Sequence, residues 1–297
     1  MPTRFHPLAA LLAGCMLASC AGAATPQRET FHDLQVDVVG TGRPVLMIPG
    51  LNSAGSTWTP TCAALQPGVQ CHILQLPGFA GTPAIATDHY MEAMRDRVID
   101  YVAAKHLGAP VVVGHSLGGE IALMVAAKAP ASVDRLVIVD SLPFFALVRD
   151  PSATAQSAQA AAQAIRAQML KSTPEQAEAG ARAAAVGMAH SAEDVERVVQ
   201  WSRQSDRATT AEAFAEVLGI DLRPELAHID RPTLVLGAWA AYAPMGATMD
   251  STRQIFETQY ANLKGVRIHM SERGYHFLMW DDPDWLVAQL KSFIAEK

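Results

Sequence analysis

The sequence Gly114-His115-Ser116-Leu117-Gly118, followed by Gly119, stands between the apolar run Val111-Val112-Val113 and a helical run that ends at Ala129-Pro130. A Gly-x-Ser-x-Gly string alone is weak evidence. Its setting here is what constrains the fold. A short buried strand, a sharp turn and a helix in direct succession make a nucleophile elbow, in which the serine takes a strained backbone state and its Oγ is left exposed. Gly114 and Gly118 have no side chains, so strand and helix can pass closely at the corner. The helix N-terminus adds free N–H groups and positive potential beside Ser116, where an oxyanion would form.

The rest of the chain is organised around that unit. Leu34 to Val39 alternates as a strand. Pro44–Ile48, Cys71–Leu76, Leu136–Val139, Thr233–Leu236 and Val266–Met270 are short runs of the kind buried on both faces of a sheet. Helical spacing fills the intervals Trp58–Leu65, His89–His106, Ser251–Leu263 and Asp284–Ala295. The alternation predicts an α/β fold, a mostly parallel sheet of roughly eight strands flanked by helices. With 297 residues, half of them hydrophobic and 18% charged, the chain can bury a sizeable core.

Between Pro143 and Pro224 the strand signals stop. Ala153–Met169, Thr173–Met188 and Glu193–Arg203 read as helices, and Thr173-Pro174 has the form of a helix start. Apolar residues such as Ile165, Val199, Trp201, Phe214 and Leu218 argue against a bare linker. Residues 143–224 are therefore expected to form a helical cap inserted after the sixth strand, with 30–142 and 225–297 forming the core.

The first 23 residues read as an export leader: a short polar start with Arg4 and His6, the apolar run Leu8–Ala18 and a small-residue cleavage site at Ala21-Gly22-Ala23. Leu17-Ala18-Ser19-Cys20 fits a lipobox equally well, which would make Cys20 a lipidation site and the protein a membrane-anchored lipoprotein. Either route predicts a periplasmic or secreted protein. In such a compartment Cys62 and Cys71 are expected to form a disulfide. The net charge of −6 comes with no Lys/Arg run, so no nucleic-acid partner is implied. Contact with a membrane is expected only through the N-terminal anchor.

Taken together, these segments resemble the α/β-hydrolase superfamily, in its branch of capped serine esterases. Gly114–Gly119 matches that family's elbow. Pro49-Gly50-Leu51 resembles the loop after its third strand, with Pro49 where histidine is usual. Val137-Ile138-Val139-Asp140 resembles its sixth strand, and Gly274-Tyr275-His276-Phe277 its histidine loop. The likeness spans about Gln35 to Ala295.

The resemblance implies Ser116 as nucleophile and His276 as its base. His115 lies inside the elbow, His89 and His106 on a helix, His190 and His228 in or beside the insertion, and His269 within the last strand. The acid is where the sequence departs from the pattern. The family usually carries it just past the seventh strand, and Gly237-Ala238-Trp239-Ala240-Ala241-Tyr242 contains none. Asp140, at the end of the sixth strand, is the substitute expected to complete the triad, because that strand should neighbour the nucleophile strand; Asp250, further along the same loop, is the alternative, and Glu272 a third. By the same resemblance, the backbone N–H groups of Leu51 and Leu117 would form the oxyanion hole, with Asn52 as a further side-chain donor.

The expected chemistry is acyl transfer on a small to medium ester-like substrate. No metal or organic cofactor is implied by any motif. A non-catalytic binding protein on the same fold is the alternative, favoured only by the missing acid.

Overall fold

The structure is a computed structural model that describes Met1 and residues 27–296. The leader, its cleavage site and Cys20 lie outside the described residues.

Eight strands form one sheet in the order β1-β2-β4-β3-β5-β6-β7-β8: β1 (Gln27–Phe31), β2 (Leu34–Gly40), β3 (Gly42–Ile48), β4 (Gly68–Gln75), β5 (Val111–His115), β6 (Arg135–Val139), β7 (Thr233–Gly237) and β8 (Arg267–Met270). The β1/β2 and β2/β4 pairs are antiparallel, and every pair from β4 to β8 is parallel. Strands β5, β6 and β7 are buried at every position. Central strands covered on both faces are mostly apolar, which explains the runs Val111–Val113, Leu136–Val139 and Leu234–Leu236; the buried polar residues His115, Arg135 and Thr233 stand at strand ends.

The helices are α1 (Thr59–Leu65), α2 (Tyr90–Ala104), α3 (Leu117–Lys128), α4 (Ala146–Arg149), α5 (Ala155–Lys171), α6 (Pro174–Val186), α7 (Ala192–Gln204), α8 (Arg207–Gly219), α9 (Met249–Gln259), α10 (Leu278–Asp281) and α11 (Pro283–Ala295). One core packs α2 and α3 on one face of the sheet, with Leu46, Val112 and Ile138 beneath Tyr101, Ile121 and Val125. The other packs α1 and α11 on the opposite face, with Val45, Val113 and Val137 against Trp58, Leu286 and Phe293. Alternate residues of each strand thus feed opposite cores, as the two-residue strand period requires. Cys62 of α1 and Cys71 of β4 are joined as a disulfide within the second core. Among the described residues, no helix is long and apolar enough to cross a membrane.

Five helices, α4 to α8, lie between β6 and β7. Thr154 and Thr173 close capping boxes at the starts of α5 and α6, and Ser191 and Asp206 cap α7 and α8, each taking up a backbone N–H the helix cannot satisfy itself. Two expectations need correction. The sheet begins at Gln27, ahead of residue 30, because β1 adds an antiparallel edge strand. Beyond the three expected helices, the insertion also holds the short α4 and the longer α8. The buried residues of α8, Thr209, Ala211, Ala213, Ala215 and Leu218, do not follow one helical face, so no amphipathic period marks it in the sequence.

Candidate active site

The three parallel strands β5, β6 and β7 end side by side, and their C-terminal ends build the site. At the end of β5, Ser116 has φ 53° and ψ −127° immediately before α3. This is the strained state expected of an elbow serine. Its N–H donates to Val139 O at 3.0 Å, tying the elbow to the end of β6. Ser116 is partly exposed, whereas every other residue from Val111 to Glu120 is buried.

The elbow glycines are demanded by contact. A Cβ on Gly114 would lie 2.1 Å from Gly118 O, and one on Gly118 would lie 2.5 Å from Ile48 O and Pro49 O. A Cβ on Gly50 would stand 3.1 Å from the Cβ of Ser116. The loop after β3 therefore runs directly over the serine. Leu117 is the first residue of α3, so its N–H has no acceptor within the helix. Leu51 follows Gly50 in the overlying loop.

His276 follows β8. Its Nδ1 lies 2.7 Å from Asp140 Oδ2, and both side chains are largely buried. A carboxylate can only accept, so Nδ1 is the donor of this bond, and the tautomer it selects leaves Nε2 as the ring's acceptor. Asp140 has φ 43°, a left-handed conformation that Asp tolerates better than most residues. Its N–H donates to Leu236 O at 2.7 Å, and its Oδ1 accepts the N–H of Ala238 at 2.8 Å. The stretch past β7, which lacks an acid, thus contributes a backbone donor that holds an acid from β6. Asp250, in the first turn of α9, and Glu272 are both exposed and make no hydrogen bond to His276. Asn52 turns its Oδ1 to Thr210 Oγ1 at 2.7 Å.

His276 makes two hydrogen bonds, to Asp140 and, through its carbonyl, to His115; neither is with Ser116. The link between histidine loop and elbow runs through His115. Its Nε2–H donates to His276 O at 2.9 Å, and the two rings lie 4.5 Å apart. Complete burial pushes the His115 pKa well below its ordinary value, with the nearby His276 adding to the effect. His115 is therefore a neutral strut. A direct serine–histidine contact of the kind that tightens only with substrate bound remains to be made.

Sequence reasoning gave no role to Glu120, Tyr260 or Asp281. Glu120 is buried behind the elbow in α3, and burial, reinforced by Glu216, raises its pKa well above the carboxylate range. Tyr260 donates to Ser141 O at 2.8 Å, next to Asp140. Asp281 accepts from Tyr275 N at 3.1 Å and His190 N at 3.2 Å, joining the histidine loop to the turn before α7. Such contacts bridge distant segments and leave no local signal. Among the described residues, no group of three or more His, Cys, Asp or Glu side chains is arranged to hold a metal.

A model of the alpha/beta hydrolase family matches residues 45–289. The chain is 27% identical over 224 residues to a pimeloyl-[acyl-carrier protein] methyl ester esterase from Vibrio campbellii, an alignment covering 74% of this chain and 85% of that one. Among solved structures, a hydrolase from Pseudomonas aeruginosa superposes with a TM-score of 0.74 at 19% identity, over 93% of this chain and 100% of that one. An enol-lactonase from Burkholderia xenovorans superposes with a TM-score of 0.71 at 16% identity, over 91% and 100% of the two chains. At these identities the two structures speak for the fold alone, and the family model decides membership. By the match over residues 45–289, and with its eight-stranded sheet and its elbow at the end of β5, the chain belongs to the alpha/beta hydrolase family.

Proposed function

We propose that the chain is a serine hydrolase that cleaves a carboxylic ester of a small to medium substrate through Ser116, His276 and Asp140. The observation that carries the reading is the 2.7 Å Asp140–His276 pair held against an elbow whose serine is the one partly exposed residue of its turn. His276 Nε2 takes the Ser116 proton as Oγ adds to the carbonyl carbon. The Leu51 and Leu117 N–H groups receive the oxyanion, and His276 returns the proton to the departing alkoxide. Water, deprotonated by the same nitrogen, then releases the acid and restores Ser116. The methyl ester esterase relative favours a small alcohol leaving group.

In this reading the helices between Pro143 and Pro224 form a cap over the site. The chain acts outside the cytoplasm, either cleaved near Ala23 or anchored through a lipidated Cys20; the Cys62–Cys71 disulfide suits an oxidising compartment.

The test is hydrolysis of a chain-length series of p-nitrophenyl esters by wild type and Ser116→Ala, together with labelling by a fluorophosphonate. Turnover and label that both vanish in the variant are expected. A folded wild type whose Ser116 stays unlabelled, with no serine-dependent turnover, would overturn the reading.

A further inference from the structure

The start of α8 is pinned to the core by consecutive residues. Gln204 O accepts the N–H of Gly81 at 3.1 Å, Ser205 Oγ accepts that of Ala80 at 2.9 Å, and Asp206 N–H donates to Gly78 O at 2.7 Å. Thr209 lies so close that a Cβ on Gly78 would come within 2.6 Å of its methyl group. The 78–81 loop is itself held by Gln75, whose side chain donates to Phe79 O at 3.1 Å and accepts the Gly55 N–H at 2.8 Å. The insertion, the loop after β4 and the loop after β3 are thus one connected polar unit.

Thr210 comes next in that series. Its Oγ1 lies 2.7 Å from Asn52 Oδ1 and 2.8 Å from Asp206 O, so the single hydroxyl proton is shared between two acceptors. Asn52 is the third residue of a turn closed by Ser53 N–H on Gly50 O at 3.1 Å, and it holds φ 57°, as a type II turn requires at that position. The turn's closure fixes the direction of the Gly50 carbonyl. A trans, planar amide points its N–H opposite to its C=O, so that closure also fixes the direction of the Leu51 N–H.

Resting on the serine hydrolase reading, we propose that Thr210 is a positioning residue: by holding Asn52 in its left-handed state it aims the Leu51 N–H at the oxyanion. An insertion residue would then set transition-state stabilisation at a loop 158 positions away.

The test compares Thr210→Val, Thr210→Ser, Asn52→Ala and the Val/Ala double variant by steady-state ester hydrolysis, by the rate of Ser116 labelling with a fluorophosphonate, and by thermal midpoint. An oxyanion donor acts in the transition state, so kcat and kcat/KM are expected to fall together by about tenfold in Thr210→Val, with KM little changed. Thr210→Ser, which keeps the hydroxyl, is expected to stay within about twofold of wild type on the same reasoning. Asn52→Ala deletes the amide that Thr210 holds and puts a residue averse to positive φ at that position, so it should lose at least as much as Thr210→Val. The double variant should lose no more than Asn52→Ala alone, because both changes remove one interaction. Should Thr210→Val fail to fold, Asn52→Ala reads the same contact from the core side. Wild-type kcat and labelling rate in folded Thr210→Val, or losses that add in the double variant, would overturn the proposal and leave the hydrolase reading standing. A wild type without serine-dependent reaction would overturn both.

Discussion

Asp140 and His276 are separated by 136 positions in the chain and by 2.7 Å at Oδ2 and Nδ1. Asp140 can reach because β6 lies next to β5 in the sheet and because its left-handed backbone swings the carboxylate across the strand ends. The Ala238 N–H then takes the other carboxylate oxygen. A change that keeps the shape of Asp140 but reverses the polarity of one terminal atom would let the ring adopt the wrong tautomer. Asp140→Asn is expected to lower kcat by about 10³- to 10⁴-fold with KM little changed. Asp250→Asn, at an exposed position, should leave both constants near wild type. Steady-state kinetics of the two purified variants checks this.

Glycine positions give a contrast in stability. A Cβ on Gly118 would strike two backbone carbonyls at 2.5 Å, whereas one on Gly180, inside α6, would meet nothing within 4 Å. Gly118→Ala should cost about 3 kcal/mol or prevent folding, because backbone cannot be moved aside as a side chain can. Gly180→Ala should add about 0.5–1 kcal/mol by raising helix propensity. Urea unfolding midpoints at fixed pH measure both.

The disulfide closes a short loop, with a sequence separation of 9 between Cys62 and Cys71. Chain-entropy reasoning assigns such a crosslink about 2.5–3 kcal/mol. Both cysteines are buried, so reduction should be slow in the folded protein and fast in urea. Intact mass after alkylation, with and without reductant, follows the bond. The Cys62→Ala/Cys71→Ala variant should unfold at a correspondingly lower urea concentration.

Glu216 of α8 accepts the N–H groups of Tyr90 at 2.8 Å and Met91 at 2.6 Å, at the start of α2. Burial is the largest influence on its acidity. It outweighs those two hydrogen bonds and the nearby His89, is reinforced by Glu212, and pushes the pKa up to about 7. The folded protein therefore binds this proton more tightly than the unfolded chain does. Its contribution to stability is greatest below the ordinary glutamate range, falls as pH rises from about 4.5 to about 7, and is level above that. Thermal midpoints between pH 5 and 8 should show a downward component in wild type that is missing from Glu216→Gln.

The elbow could be read from the sequence because its requirements are local: a valine run, two glycines at a corner and a helix. His276 was legible through its place after the last apolar strand. The acid was legible as a preference: Asp140 stood out over Asp250 because its strand should neighbour the nucleophile strand, and what the sequence lacked is the strand order β5-β6-β7 and the φ of Asp140, which bring its carboxylate to His276. Strand β1 gave no signal, because an edge strand with mostly exposed positions needs no apolar alternation. Helix α8 was hidden for the opposite reason: neighbours on several sides bury it without a single face. The Thr210–Asn52 contact joins two polar residues that nothing in either neighbourhood connects.

The pinning of residues 204–210 to the loops after β3 and β4 bears on redesign. Exchanging the whole insertion with that of a relative is the obvious way to retarget a hydrolase of this architecture. Here such a graft would carry away Ser205, Asp206, Thr209 and Thr210, partners of Ala80, Gly78 and Asn52. A chimera with its junctions at Pro143 and Pro224 would inherit a new pocket and lose a strut of the old scaffold. Junctions set at Gln163 and Arg203 would exchange the second half of α5, α6 and nearly all of α7 while leaving the strut with the parent.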